Sequence, residues 1–177
     1  IEAFSAEIAE RKRIGKEAED AEKPASDKKF AFVINVVDPF WTFAQAGCYR
    51  AEQEFGIVAD FLAPPTGTVS EQNKILETAL LQDYDGVALS PLDPTGQQDL
   101  INQVAANLPL ICHDSDAPES DRRFYLGTNN YDAGRMLGKL VKERLPEGGK
   151  IMVYVGKIDM LNAQQRRQGL IDELSAE

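Results

Sequence analysis

From Phe30 onward the chain alternates short apolar runs with amphipathic stretches, and this alternation restricts the possible fold more than any other feature. FAFVINVV (30–37) is β-branched and aromatic without polar alternation, which suits a strand covered on both faces. IVADFL (57–62), GVALS (86–90), PLICH (109–113) and FYLG (124–127) read the same way. Helical periodicity marks WTFAQAGCYRAEQEFG (41–56), SEQNKILETALLQDY (70–84), TGQQDLINQVAANL (95–108) and YDAGRMLGKLVKERL (131–145). Gly56 stands in the usual stop position of the first, and Ile75, Leu76, Ala79 and Leu80 form one apolar face of the second. Strands beginning near 30, 57, 86, 109 and 124 with helices between most of them specify right-handed crossovers and a parallel sheet covered on both faces. The expected fold is a doubly wound α/β lobe.

Two segments fall outside that lobe. Residues 1–29 are rich in Ala, Glu and Lys, with Ile1, Phe4 and Ile8 at helical spacing and little apolar content after them. They read as a charged helix running into a Pro-Ala-Ser linker. PEGGK (146–150) then punctuates the chain, IMVYVG (151–156) reads as a strand and LNAQQRRQGLIDEL (161–174) as a helix. The expected division is therefore 1–29, charged helix and linker; 30–147, the α/β lobe; and 148–177, the first strand and helix of a second α/β lobe left incomplete.

A net charge of −10 argues against nucleic acid as a partner, because phosphate tracking draws on clustered Lys and Arg. No apolar run approaches the roughly 20 residues of a membrane span, so no direct membrane insertion is expected. The N-terminus lacks the layout of a secretory signal, so the chain reads as cytoplasmic or already processed. Cys48 and Cys112 are too few and too far apart for a disulfide framework and read as two buried thiols.

Open parallel sheets bind ligands at the carboxyl ends of their strands, where the strand order reverses. The residues just past each strand are Asp38-Pro39-Phe40-Trp41, Ser90-Pro91-Leu92-Asp93, His113-Asp114-Ser115-Asp116, and, after 156, Lys157, Asp159 and Asn162, with Arg166 one turn further along the same helix face. Two adjacent aromatics can stack on the C–H face of a flat ring, and carboxylates with an Arg supply charged partners for hydroxyls. An aromatic platform with a carboxylate and an Arg suits a sugar. Structural roles are open for several of these residues: Phe40 and Trp41 as a cap on the core, Asp93 as a helix cap, Asp114 as a loop brace, Asp116 as a turn residue. His113 alternates with Asp114, so it reads as a packed histidine facing away from the crevice.

Catalytic readings find little support. DPFWTFAQAG after the first strand would block the backbone approach a pyrophosphate needs, and there is no Gly-x-Ser-x-Gly elbow or Cys-x-x-Cys. Asp38 and Asp93 only loosely imitate a phosphoacceptor cluster. No enzyme activity, cofactor or metal is expected.

VVDPFWTFAQAGCYRAEQEFGI, SPLDPTG, HDSDAP, YLGTNNYDAGRMLG and NAQQRRQG, taken in order, resemble successive landmarks of the type I (ribose and galactose-type) periplasmic sugar-binding proteins of ABC importers, over about 30–177. The resemblance implies two α/β lobes closing over a monosaccharide and delivering it to a membrane permease. It also implies a monomer in the periplasm with its signal peptide removed. Phe40 and Trp41 then match the stacking pair, Asp114 the carboxylate that takes sugar hydroxyls, Arg166 the second-lobe Arg and Asn162 its neighbour. Asp38 stands where the family usually has Asn, and Ser115 where ribose-type members often carry Arg; both are counted as ligand residues. Residues 148–177 match the opening of the second lobe. The alternatives are a ligand-sensing domain of a chemoreceptor or sensor system, or of a transcription repressor.

Overall fold

The computed structural model describes residues 27–158 and 160–176. The charged helix expected at the N-terminus and the candidate Asp159 lie outside the described residues, apart from 27–29. Five parallel strands, β1 (Lys29–Val33), β2 (Val58–Leu62), β3 (Gly86–Leu89), β4 (Leu110–His113) and β5 (Tyr125–Leu126), form one sheet in the order β2-β1-β3-β4-β5. Between and after them run α1 (Thr42–Phe55), α2 (Val69–Leu81), α3 (Gln98–Asn107), α4 (Asn130–Arg144) and α5 (Leu161–Ser175), with a single 3-10 turn at Pro39–Trp41 leading into α1. No helix among the described residues is long and apolar enough to cross a membrane.

Strand alternation divides the sheet residues between two faces. Ala31, Val33, Val87, Leu89, Leu110 and Cys112 point to one face, where Leu76 and Ala79 of α2 and Ile101 and Val104 of α3 bury them completely or nearly so. On the other face Phe30, Phe32, Ala88 and Ile111 meet Ala44, Gly47 and Cys48 of α1 across an apolar groove of about 410 Å³. The first strand was expected to run through residue 37 with both faces covered. It ends at Val33, level with the ends of its neighbours at Leu62 and Leu89, and its second face is only half-buried.

Helix ends follow the sequence closely. Gly56 adopts φ +62° and its N–H caps the Glu52 carbonyl, closing α1. Thr68 and Glu71 form a reciprocal capping box at the start of α2. Asp93 caps as expected, accepting from Gly96 N–H, but it holds a turn, so that α3 itself begins only at Gln98. Cys48 and Cys112 are free and buried, as read from the sequence.

Residues 151–156 are not a strand. Five consecutive apolar residues, Ile151 to Val155, are exposed, and none pairs with a described strand. A β-rich run becomes a strand only when a neighbouring edge takes up its N–H and C=O groups. Helix α4, expected to close the first lobe, packs along α5. Gly134 lies against the Arg166 carbonyl and Gly169 against the Tyr131 carbonyl, so closely that a Cβ at either would fall 2.1 Å from that oxygen. Arg135 pairs with Glu173, and Tyr131 donates to Asp172 at 2.9 Å.

Candidate functional site

The strand order reverses between β1 and β3, and three polar side chains converge where β1, β3 and β4 end. Asn35 lies two residues past β1, Ser90 one past β3, Asp114 one past β4. Asn35 Nδ2 donates to Ser90 Oγ at 3.1 Å and to Asp114 Oδ2 at 3.5 Å, and Ser90 Oγ donates to the same carboxylate oxygen at 3.2 Å. From α5, Asn162 Nδ2 reaches that oxygen at 3.4 Å. Burial pushes the Asp114 carboxyl above its ordinary value, opposed by the Ser90 hydroxyl, the charge of Arg166 and the Asn35 amide.

Asp114 is held in an unusual backbone. Its φ is +59°, and Ser115 N–H donates to the His113 carbonyl across it at 2.6 Å, closing a positive-φ γ-turn. Asp114 N–H donates to Leu126 O, and Tyr125 Oη donates to Asp114 O at 2.8 Å. Such a turn costs on the order of 1–3 kcal/mol and persists only where its surroundings enforce it.

Beneath these side chains lies a buried amide network. Gln72 of α2 donates through Nε2 to Ile34 O at 3.0 Å and Ser90 O at 2.9 Å, tying the ends of β1 and β3 together. Its Oε1 accepts from Leu92 N–H and from Gln97 Nε2, while Gln97 Oε1 accepts from the N–H groups of Leu92 and Asp93. Every polar atom of the two amides has a partner, and such a network rigidifies the site it underlies.

The aromatic pair divides into two roles. Phe40 is 63% exposed on the rim, whereas Trp41 is 5% exposed, with its indole N–H donating to Asn35 Oδ1 at 3.3 Å. The Phe40 ring stands edge-on to Trp41, centroids 5.0 Å apart. Behind Trp41, the His113 ring packs edge-on at 5.5 Å and lies on Phe32 at 4.2 Å. His113 is thus the packed histidine expected, and burial pushes its pKa down to about 4, keeping it neutral.

The other candidates are placed as follows. Asp38 is exposed, and its carboxylate accepts Phe40 N–H at 2.8 Å, capping the 3-10 turn. Ser115 is fully buried, its hydroxyl without a hydrogen-bond partner among the described residues. Asp116, read as a turn residue, does accept Ala117 N–H, but it also takes the Arg122 guanidinium through two oxygens. Asn162 and Arg166 line a cavity of about 310 Å³ with Lys157, Tyr154 and Leu170. Lys157 reaches across to Gly67 O, which it meets at 2.5 Å. The structure therefore brings Asp114, Asn162 and Arg166 together with Phe40 and Trp41 close by, and engages Asp38 in a cap. Sequence reasoning missed Asn35, Gln72 and Gln97; the one signal for Asn35 is that it is the lone polar residue of FAFVINVV.

Residues 30–177 match the family described as periplasmic binding protein domain. No curated protein matches the chain. Among solved structures, a solute-binding protein of an ABC transporter from Burkholderia graminis, in complex with D-arabinose, is 26% identical with a TM-score of 0.81, over 86% of this chain and 53% of that one. GanP, a glucose-galactose binding protein from Geobacillus stearothermophilus, is 26% identical with a TM-score of 0.78, over 84% of this chain and 54% of its own. The sugar-binding protein of a Bacillus halodurans sugar ABC transporter is 28% identical with a TM-score of 0.73, over 85% of this chain and 52% of its own. The chain spans about half the length of each of these structures.

Proposed function

This chain belongs to the periplasmic binding protein domain family, and we propose that it is the sugar-recognising part of an ABC importer's solute-binding protein. On this reading a monosaccharide is held between the sheet lobe and a second lobe to which α5 belongs, and closure of the two commits it for delivery to a membrane permease. The protein acts outside the cytoplasm, as a monomer, without catalysis. The single observation that carries the reading is the Asp114 carboxylate, set at the end of β4 beside the switch point and approached by Asn162 and Arg166 of α5.

The chemistry follows from the groups present. Asp114 accepts sugar hydroxyls through charge-assisted hydrogen bonds, roughly twice as strong as neutral ones. Arg166 donates to ring or hydroxyl oxygens. The exposed Phe40 ring offers its face to the C–H side of the sugar, with Trp41 as a fixed support behind it. Asn162 and Lys157 join α5 and its preceding loop to the sheet lobe, at Asp114 and Gly67, and these are the contacts a hinged closure would make.

The test is a calorimetric titration of the whole protein with a panel of pentoses and hexoses. One sugar is expected to bind with 1:1 stoichiometry, and Phe40→Ala and Asp114→Asn each to weaken it about tenfold or more, which is about 1.4 kcal/mol. No binding across the panel, or undiminished binding by both variants, overturns the reading.

A further inference from the structure

Asn35 is 3% exposed, and none of the roles above uses it directly. Its neighbours fix which way its amide faces. The indole N–H of Trp41 can only donate, so the atom 3.3 Å from it is the amide oxygen. The amide nitrogen is thereby aimed at Ser90 Oγ and Asp114 Oδ2. One side chain is therefore bonded at one end to the aromatic half of the site and at the other to its carboxylate half.

Few side chains can do this. Aspartate accepts from the indole but sets a second negative charge beside Asp114. Leucine has the size and neither function, and serine is too short to span both partners. Gln72 adds to the argument from below, since its bond to the Ile34 carbonyl holds the backbone immediately before Asn35.

We infer that Asn35 is a positioning residue that couples Trp41 to Asp114, so that a change of charge or of hydrogen bonding at the carboxylate is transmitted to the indole. The coupling belongs to the protein without ligand; only its consequence, that sugar capture at Asp114 is felt at Trp41, rests on the sugar-binding reading.

Trp41 is the only tryptophan of the 177 residues, which makes its fluorescence the natural readout. Asp114 is faced by Arg166 and Asn162 from α5, by Asn35 and Ser90, and by Tyr125 through its main chain, while His113 packs on Trp41 itself. Because protonated His113 would also quench the indole, the quantity to follow is the difference between the protein and Asp114→Asn as pH is varied without sugar. Trp41→Phe identifies the signal. The expected result is an Asp114-dependent transition that disappears in the Asn35→Leu background while the far-ultraviolet circular dichroism is retained. A transition of the same size in that background, or none in the unaltered protein, overturns the inference. Should Asn35→Leu fail to fold, Asn35→Ser, too short to span both partners and adding no charge, decides: the Asp114-dependent transition is expected to disappear, and a transition of the same size overturns the inference. A protein that shows the coupling but binds no sugar refutes the functional reading alone.

Discussion

Replacing Gln72 by methionine tests whether the amide network beneath the site is what holds it. The substitution nearly conserves volume, so the cost comes from hydrogen bonds. Leu92 N–H keeps Gln97 Oε1, and Gln97 Nε2 keeps Asn73 Oδ1 at 2.8 Å, so those groups stay satisfied. The carbonyls of Ile34 and Ser90 lose the Gln72 amide, and no other described residue is seen to donate to them. A buried polar group left unmatched costs about 1–3 kcal/mol, so the pair should cost about 4 kcal/mol. For a domain of this size that is a fall in Tm of roughly 8–16 °C. Gln98→Met supplies the comparison, because Gln98 bonds only the exposed Glu119 carbonyl and should change stability by no more than about 0.5 kcal/mol. Urea unfolding of both variants, followed by circular dichroism, measures the two effects. Equal losses from Gln72→Met and Gln98→Met would refute the idea that this network ties the strand ends together.

Three further outcomes follow from described contacts. Asp114 has its pKa raised by burial, so the folded state gives up that proton later than the unfolded state does, and the stability this supplies is lost as pH rises from the ordinary carboxylate range through the folded pKa; Asp114→Asn should gain on the unaltered protein over that window, and parallel urea midpoints across it would contradict the placement. Gly169→Ala forces a methyl group onto the Tyr131 carbonyl and should cost about 1–3 kcal/mol or part α5 from α4, read as a lower Tm and faster amide exchange in α5; an unchanged Tm refutes the close approach. Burial pushes the thiols of Cys48 and Cys112 up to about 11, so iodoacetamide at pH 8 should leave both unlabelled in the folded protein and modify both in urea, as peptide mapping would show; rapid labelling of either in the folded state is the contrary result.

The sheet was readable because each strand needs only a short apolar run flanked by helical periodicity, and Gly56 and the Thr68–Glu71 pair mark helix ends through purely local chemistry. IMVYVG carries the same local signal, yet it is no strand, because strand formation also depends on a neighbouring edge that the run itself does not encode. Asp114 could be picked out because it follows an apolar strand run, and Arg166 because it stands one helical turn beyond Asn162. The environment of Trp41 could not: whether an aromatic faces solvent or lies against His113 depends on the strand order, which puts the ends of β1 and β4 on either side of β3. Gln72 was illegible for a related reason. In SEQNKILETALL it looks like any polar residue of a surface helix, and only the packing of α2 over the ends of β1 and β3 gives its amide four partners.

The γ-turn at Asp114 bears on how this site can diversify. At φ +59° Gly, Asn and Asp are the most comfortable of the short residues, so Glu, Gln, Ser or Thr at this position adds backbone strain. Of these three favoured residues one is charged, one neutral and one bare. A lineage that keeps this turn can thus change the polarity offered to its ligand at that point in single steps, but not the reach of the side chain. On the proposed sugar-binding reading, changes in ligand size must then be met by α5 and the loop before it.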